Sequence, residues 1–348
     1  MSRVTIIDIA RHANTSFKTV SRVINGSTEV TPETRERVEK SMRELNYRPS
    51  RAAQSLRGKR AYNLCFAFSM PPGPEAGDPF LRDMPPFLTE VIAGMLRACS
   101  KAQFQLTIEG LDTESPDART GAALLLDNLE IDGMVLCPPV CDVPWLLELL
   151  RERRIAFARI AAGTEFPHAT SLWIDDFAAA EQIGRVLVGL GHTRIGHISG
   201  PAHHLRAQDR TAGLKAALEE AGAAAPRVRE GDFSFDGGMR EGCAMLDTKD
   251  RPTAIFAAND RMAAGVIAAA AALDIKVPEQ LSVVGFDDSP IARFTRPAIT
   301  TINQNVWEMG YRAASHLIQH AGTDVPAPAQ SWVLPYEYVE RESVAPAP

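Results

Sequence analysis

Apolar residues near the start of the chain recur with the period of an α-helix in two short segments that are separated by a polar break. They share one face of each segment and are Ile6, Ile9, Ala10, Ala13, Val20, Val23 and Ile24. Thr5 and Ser16 directly precede the two segments, where a hydroxyl side chain caps a helix. The other face of the second segment is polar and basic and carries Phe17, Lys18, Ser21 and Arg22. Two packed helices with one such open face predict a helix-turn-helix, whose second helix fits the major groove of DNA.

A third helix and a basic segment follow. Thr31 and Pro32 suit an N-cap and a first helical position, and apolar residues then recur at helical spacing as Val38, Met42 and Leu45. The segment 49–60 is rich in arginine, and its short helical stretch is too brief to hold a helix alone in water. By itself, this segment is typical of a flexible basic linker.

From residue 61 onward, short apolar runs alternate with helical periods. The runs predict strands at 63–69, 105–110, 133–138, 155–161, 194–200, 254–258 and 282–286. The periods between them predict helices at 87–102, 117–128, 143–153, 177–190, 208–221, 236–246 and 260–273. This order is typical of parallel sheets covered on both faces, here in two Rossmann-like lobes with a cleft at the carboxyl ends of the strands.

Net charge becomes informative only when the chain is divided. The 348 residues carry a formal charge of −6, but residues 1–60 hold 13 Lys and Arg against 6 Asp and Glu, a balance of +7. The rest of the chain has a balance of −13. Attraction to phosphate is therefore concentrated where the helix-turn-helix is predicted. A chain of this length also exceeds one modest core, so two or three domains are expected.

Several classes of protein find no support in the sequence. No apolar run approaches the ~20 residues of a membrane helix and no signal peptide precedes residue 4, so a cytoplasmic protein without a membrane partner is expected. The five cysteines are scattered, and the pair Cys137 and Cys141 lacks the further ligands of a zinc site. No Walker loop, strand-linked GxGxxG or GxSxG elbow is present, so we expect no enzyme activity, no cofactor and no metal.

The letters of several segments are similar to those of one protein family. IDIA at 7–10 and TVSRVING at 19–26 are followed by GLGHTRIGHISGP at 189–201, DRTAG at 209–213 and QLSVVGFDDSP at 280–290. On these motifs the chain resembles the lactose/galactose repressor (LacI/GalR) family over essentially its whole length. The resemblance implies a small all-α helix-turn-helix headpiece joined to an α/β body of two Rossmann-like lobes, similar to periplasmic binding proteins.

The resemblance also implies a domain organisation. The implied domains are a headpiece at 1–48, a hinge helix or linker at 49–60 and an effector-binding and dimerisation body at 61–348. Within the body, the two lobes are expected at about 61–161 with 304–332 and at about 162–303 with 333–342. The hinge is implied to fold on DNA and to insert Leu56 into the minor groove, with Arg51 and Arg57 beside it on phosphates.

The exposed face of the second helix supplies the candidates for reading DNA. The guanidinium fork of Arg22 matches guanine O6 and N7, and Lys18 can reach either a base edge or a phosphate. Ser21 lies on the same face, and Phe17 either contacts a thymine methyl or deoxyribose or packs against the first helix. Polar side chains at helix ends are suited to positioning phosphates, and these are Thr5, Ser16, Asn25 and Thr34.

Four positions in the body match ligand contacts of the family, namely Arg210, Phe233, Asn259 and Asp287. Three of them offer donors and acceptors to sugar hydroxyls, and Phe233 offers an apolar surface to a sugar ring. We expect Arg210 and Asp287 to face solvent when the cleft is empty.

Three features depart from the family pattern. Arg159 stands where an apolar or aromatic residue is more usual, Ala161 stands where Asp is common, and a long proline-rich loop occupies 69–86 near the expected mouth of the cleft. Arg159 either adds a positive charge to the effector site, which favours an acidic sugar, or forms a salt bridge within its lobe. The sequence leaves both interpretations open.

The resemblance implies a sequence-specific, DNA-binding transcriptional regulator of bacteria that is associated with the nucleoid. The expected activity is repression of carbohydrate-utilisation genes, with operator affinity controlled allosterically by a sugar or sugar-acid effector between the lobes. Because residues 341–348 contain no leucine heptads, we expect a homodimer on a pseudo-palindromic operator in double-stranded DNA. An activator, a transport-type sugar-binding protein and an enzyme are the alternatives. The sequence names neither the operator nor the effector, nor whether the effector releases DNA or promotes its binding.

Overall fold

The computed structural model describes residues 4–24, 27, 29–47, 60–70, 84–323 and 328–348, and every structural statement below concerns these residues. Contacts divide the chain into two units, Met1–Tyr62 and Asn63–Pro348. The predicted hinge contacts Arg51, Leu56 and Arg57, together with Asn25 and most of the 69–86 loop, lie outside the described residues.

Three helices form the first unit: α1 (Ile6–His12), α2 (Phe17–Ile24) and α3 (Pro32–Glu44). Their core is made of the predicted apolar face, with Ile9, Ala10, Ala13, Val20, Val23 and Val38 buried together. Each helix begins at a hydroxyl cap, since the amides of Asp8, Thr19 and Thr34 donate to the side chains of Thr5, Ser16 and Thr31. The helix-turn-helix predicted from the pattern is therefore confirmed.

The second unit begins with a lobe built on a six-stranded parallel sheet in the order β11-β5-β4-β3-β1-β2. Its strands are β1 (Asn63–Ser69), β2 (Gln105–Leu111), β3 (Gly133–Leu136), β4 (Phe157–Ile160), β5 (Thr170–Trp173) and β11 (Ser331–Val333). Its helices are α4 (Pro86–Ala102), α5 (Ala118–Asn128), α6 (Pro144–Glu152) and α12 (Val306–His320). Helices α4 and α12 pack closely against each other, and α12 also contacts β3, β4 and β5. A buried apolar cluster under α5 and α6 forms the core of the sheet's other face.

A second lobe is built on a four-stranded parallel sheet in the order β7-β6-β8-β9. Its strands are β6 (Ile195–Ser199), β7 (Arg227–Glu230), β8 (Ala254–Ala257) and β9 (Ser282–Val284), and β10 (Thr301–Asn303) pairs with β12 (Glu337–Val339) in an antiparallel ribbon. Its helices are α7 (Asp176–Gly189), α8 (Leu205–Glu220), α9 (Phe235–Leu246), α10 (Asp260–Ala272) and α11 (Pro290–Phe294). The two lobes and the parallel sheets agree with the expected α/β body.

The boundary between the lobes differs from the expectation. Strand β5 pairs with β4 in the first sheet, so the first lobe continues to Trp173 instead of ending near 161. The chain crosses to the second lobe between β5 and α7, returns between β10 and α12, and crosses again between β11 and β12. Strand β5 was missed because it has only four residues and follows a polar loop, and such a short run carries little periodicity.

No helix in the described ranges is both long and apolar enough to cross a bilayer. The five cysteines are unpaired thiols, four of them buried, and burial raises the pKa of Cys65 to about 12 and that of Cys99 to about 11. Among the described residues, no three potential metal ligands come together.

Candidate DNA interface and effector site

Helix α2 presents the polar face that the sequence predicts. Val20 and Val23 are buried against the other two helices, which turns Phe17 and Lys18 outward and leaves Ser21 and Arg22 at the edge of the face. The Phe17 side chain is 43% exposed. The face therefore combines an aromatic ring with two cations, a composition suited to a DNA groove.

Arg22 has a partner within the headpiece. Its Nη2 atom lies 2.8 Å from Oε2 of Glu29, which follows the end of α2, and both side chains are partly exposed. An exposed pair of this kind contributes little to folding. The glutamate holds the guanidinium at the edge of the helix and is the acceptor that any ligand of this arginine has to replace.

The predicted phosphate contacts in the described ranges, Thr5, Ser16 and Thr34, lie at helix starts and are hydrogen-bonded there. The hydroxyl of Thr5 donates to Asp8, that of Ser16 lies 2.9 Å from the hydroxyl of Thr19, and that of Thr34 accepts from Thr31. These side chains place the amide-rich starts of α1, α2 and α3 at the surface, where backbone N–H groups favour anions.

The four predicted effector residues all follow strands of the second sheet at their carboxyl ends. Arg210 lies in α8 after β6, Phe233 lies between β7 and α9, Asn259 follows β8, and Asp287 follows β9. Because these strands are parallel, the four residues converge on one edge of the sheet, next to the crossings between the lobes.

Arg210 lies at the centre of this group. We expected its side chain to face solvent, but the structure buries it. Its side chain is 5% exposed, its Nε donates to Oδ1 of Asp176 at 2.7 Å, and its Nη1 donates to the carbonyl of Ala258 at 2.6 Å. Its guanidinium carbon lies 3.7 Å from the ring centroid of Phe286. The expectation was wrong because Asp176, the first residue of α7, provides a buried partner. Burial raises the pKa of the Asp176 carboxyl, and the positive charge of Arg210 opposes this rise.

Asn259 and Phe233 are joined directly. The Asn259 side chain caps α10 by accepting from the Met262 amide at 2.8 Å, and its Nδ2 donates to the Phe233 carbonyl at 3.0 Å. Phe233 has a left-handed backbone (φ 61°), and its ring meets the His204 ring edge-on at 5.0 Å. Burial lowers the pKa of His204 to about 4, so this ring is neutral near pH 7.

Asp287 connects the group to the first lobe. It is half-buried, also with positive φ, and its Oδ1 accepts from Nε2 of Gln304 at 2.5 Å, just before α12. Burial raises the pKa of Asp287, and nearby Arg210 lowers it. The side-chain oxygen of Gln304, Oε1, is buried without a hydrogen-bond partner, which leaves an acceptor open to a donor from a ligand or water.

A pocket of about 480 Å³ opens beside Asp287 at the crossings between the lobes. It is lined by residues of both lobes, including Glu90, Trp307 and Arg293. Arg210, Phe233 and Asn259 are not among its lining residues, so the four predicted positions lie along one edge of the second sheet but only Asp287 lines this pocket.

Arg159 takes the second of its two proposed roles, a salt bridge within its lobe. It is fully buried, its Nη2 donates to Oδ1 of Asp142 and to the Thr164 hydroxyl at 2.7 and 2.6 Å, and its Nε donates to the Cys141 carbonyl. All of these partners belong to the first lobe. The contacts give no support to the expectation that Arg159 adds charge to the effector site.

The sequence did not single out four residues that surround the predicted ones: Asp176, His204, Arg206 and Gln304. Asp176 and His204 lie at helix starts, where an acidic or polar residue is commonplace and indicates only a cap. Arg206 precedes Arg210 by one helical turn and indicates only a surface charge when seen alone. Their roles depend on contacts between distant segments, which spacing along the chain does not reveal.

Comparison with known proteins agrees with this architecture. Family models match at residues 5–50 (bacterial regulatory proteins, lacI family) and at residues 185–344 (periplasmic binding protein-like domain). The HTH-type transcriptional regulator DegA of Bacillus subtilis (strain 168) is 31% identical over 99% of both chains. A crystal structure of the Lac repressor dimer, bound to operator and the anti-inducer ONPF, is 27% identical and superposes with a TM-score of 0.81 over 99% of this chain and 100% of that one. The regulator CelR in complex with cellobiose is 28% identical with a TM-score of 0.72, over 98% of this chain and 100% of that one.

These relatives are transcriptional regulators and not enzymes. Headpiece, body and sequence motifs agree with them along the whole chain. The chain therefore belongs to the LacI family of bacterial regulatory proteins and is a DNA-binding transcriptional regulator.

Proposed function

We propose that the protein is a dimeric repressor of carbohydrate-utilisation genes that acts in the cytoplasm and is controlled by an uncharged sugar bound between its lobes. The observation that carries the proposal is the placement of Arg210, Asn259, Phe233 and Asp287 along one edge of the second sheet, beside the crossings to the first lobe. A ligand at this edge touches both lobes and so favours one angle between them.

The choice of an uncharged sugar follows from the charges around the group. Arg210 is paired with Asp176, Arg206 with Asp209, and Arg159 with Asp142. His204 is neutral, and burial favours the protonated form of Asp287. Each of these three arginines already has an acidic partner, so a sugar acid held by them would bring a charge without compensation. The cellobiose complex of CelR is a related case with an uncharged sugar.

On the DNA side, we propose that a homodimer places one headpiece on each half of a pseudo-palindromic operator. One helix of eight residues reads too few bases for specificity, and two related headpieces double the number read. The Lac repressor relative binds its operator as a dimer. The headpiece at 1–48, the hinge at 49–60 and the DNA contacts named above remain part of this proposal.

The proposal is tested by identifying both ligands of the purified protein. Selection from random duplex DNA should yield a pseudo-palindromic site, and calorimetric titration with a panel of sugars and sugar acids should give binding by at least one uncharged sugar. If only sugar acids bind, the assignment of the effector is wrong. If selection yields one asymmetric site of a few base pairs, the dimeric mode of DNA binding is wrong.

Replacing Arg22 with Ala should weaken binding to the selected site by about 1–3 kcal/mol and relax base preference at one position of each half-site. The reason is the loss of a fork that pairs with one guanine. The measurement is fluorescence anisotropy with the selected site and its single-base variants.

Lys18→Ala provides the comparison for Arg22→Ala on the same helix face, since Lys18 can reach a phosphate as readily as a base. If affinity in Arg22→Ala falls equally on every sequence, the arginine contacts a phosphate and base reading must be assigned elsewhere.

A further inference from the structure

Arg206 connects the two lobes. It is the second residue of α8 in the second lobe, and its Nη2 donates to the carbonyl of Ala162. Ala162 lies between β4 and β5, and both of these strands belong to the first sheet. The guanidinium carbon also lies 5.4 Å from the ring centroid of Trp173, the last residue of β5. One side chain of the second lobe therefore makes two different contacts with the first.

Packing at the neighbouring residue reinforces this contact. The Leu205 side chain lies directly against Gly163, and a Cβ added at Gly163 would overlap it. The first-lobe segment 161–164 and the start of α8 thus meet through an apolar contact, a hydrogen bond and an arginine on an aromatic ring. An arginine over an aromatic ring is stabilised further when it is desolvated, and Arg206 is only 15% exposed.

Asp176 joins this contact to the proposed effector group. Arg206 and Arg210 are one turn apart on α8, and both turn a Nε toward the same carboxylate, at 4.0 Å and 2.7 Å from its two oxygens. The Nε of Arg206 is buried and has no hydrogen-bond partner. If a ligand binds Arg210 and breaks its pair with Asp176, the Asp176 carboxylate can accept a hydrogen bond from Arg206 instead. The Nε–H of Arg206 is close to this carboxylate and donates to no other group.

We propose that Arg206 is a clasp between the lobes, closed in the effector-free protein, and that effector binding at Arg210 changes the clasp through their shared partner Asp176. This inference rests on the proposed function for its consequence, the control of DNA binding. The clasp itself is a property of the effector-free protein.

The clasp is tested in the effector-free, full-length protein by hydrogen exchange and small-angle X-ray scattering. In Arg206→Met, amides of the segment 161–169 should exchange at least about tenfold faster, because the contact that closes over them is lost. The radius of gyration should increase as the lobes separate. Arg206→Lys should give exchange rates and a radius of gyration between those of the unmodified protein and Arg206→Met. Lysine can donate to the Ala162 carbonyl but has no planar guanidinium to stack on the Trp173 ring.

Two further variants make the test specific. Gly163→Ala, which presses on the same contact from the first lobe, should also increase the radius of gyration. Arg185→Met removes a half-exposed arginine that pairs with Glu181 and Glu220 within the second lobe, and should leave both measurements unchanged. Neither measurement uses sugar or DNA, so the outcome does not depend on whether the proposed effector is right.

The clasp is contradicted if Arg206→Met leaves the exchange of 161–169 within twofold of the unmodified protein and the radius of gyration unchanged. Faster exchange spread evenly over α9 and α10 would also contradict it, because the substitution would then destabilise the whole second lobe.

Discussion

Replacing Arg210 with Met is expected to lower the free energy of unfolding of the body by about 3–5 kcal/mol, because it leaves the buried carboxylate of Asp176 without its counter-charge. The carbonyl of Ala258 loses its donor in the same step. The measurement is urea unfolding followed by circular dichroism. Sugar binding, measured by calorimetry in the remaining folded protein, should weaken by at least about tenfold, which corresponds to one lost charged hydrogen bond.

Two variants separate the buried pair from a general effect of losing an arginine. Arg185→Met removes a surface pair on α7 and should cost less than about 1 kcal/mol. The free energy of unfolding of the double variant Asp176→Asn/Arg210→Met should be closer to that of the unmodified protein than the value for Arg210→Met alone, since the double variant removes both charges. If Arg210→Met costs no more than Arg185→Met, Arg210 is not held in a buried pair.

Replacing Val20 with Asp is expected to unfold the headpiece and reduce operator affinity by at least about a hundredfold, since a charge without a partner enters a core of six buried residues. A domain of this size has little stability to lose. The body is a separate unit, so its unfolding midpoint and its sugar affinity should not change. Proton NMR of the headpiece amides and calorimetry of the body measure the two effects independently.

Ile7→Asp is the matched control for Val20→Asp. Ile7 is an apolar residue of α1 that is 58% exposed, so the same change of residue type there should leave the headpiece folded. A folded headpiece in Val20→Asp would show that α2 does not pack against the rest of the headpiece through this residue.

The headpiece was predictable from the sequence because its core depends on local periodicity. Ile9, Val20 and Val38 lie on helical faces that repeat within a few residues, and a hydroxyl cap precedes each helix. The strands of seven residues were equally visible in the pattern. Strands β5, β7, β10, β11 and β12 were not, and their length of three or four residues is only part of the reason, since the equally short β3 and β8 were predicted. Those two are wholly apolar, whereas every missed strand contains a polar or charged residue.

The placement of the four effector candidates in the fold was predictable, but the partners of their side chains were not. The four effector candidates do converge on one edge of the second sheet, because each follows one of its parallel strands. What the sequence could not show is that Arg210 is already paired, since Asp176 lies 34 residues earlier on another helix. The pairing of Arg159 could not be predicted for the same reason. Its partner Asp142 lies in the 3₁₀ helix Val140–Asp142, which the fold places beside β4.

Sugar and operator DNA are expected to change each other's affinity for the protein. Operator affinity is measured with and without saturating sugar, and sugar affinity with and without saturating operator, using the sugar and the site found in the binding screens. Allosteric control through the cleft predicts that both affinities change by the same factor, at least about fivefold, and that the change is lost in Arg210→Met. If sugar and operator both bind but neither changes the affinity of the other, the cleft does not control DNA binding and the central claim is wrong.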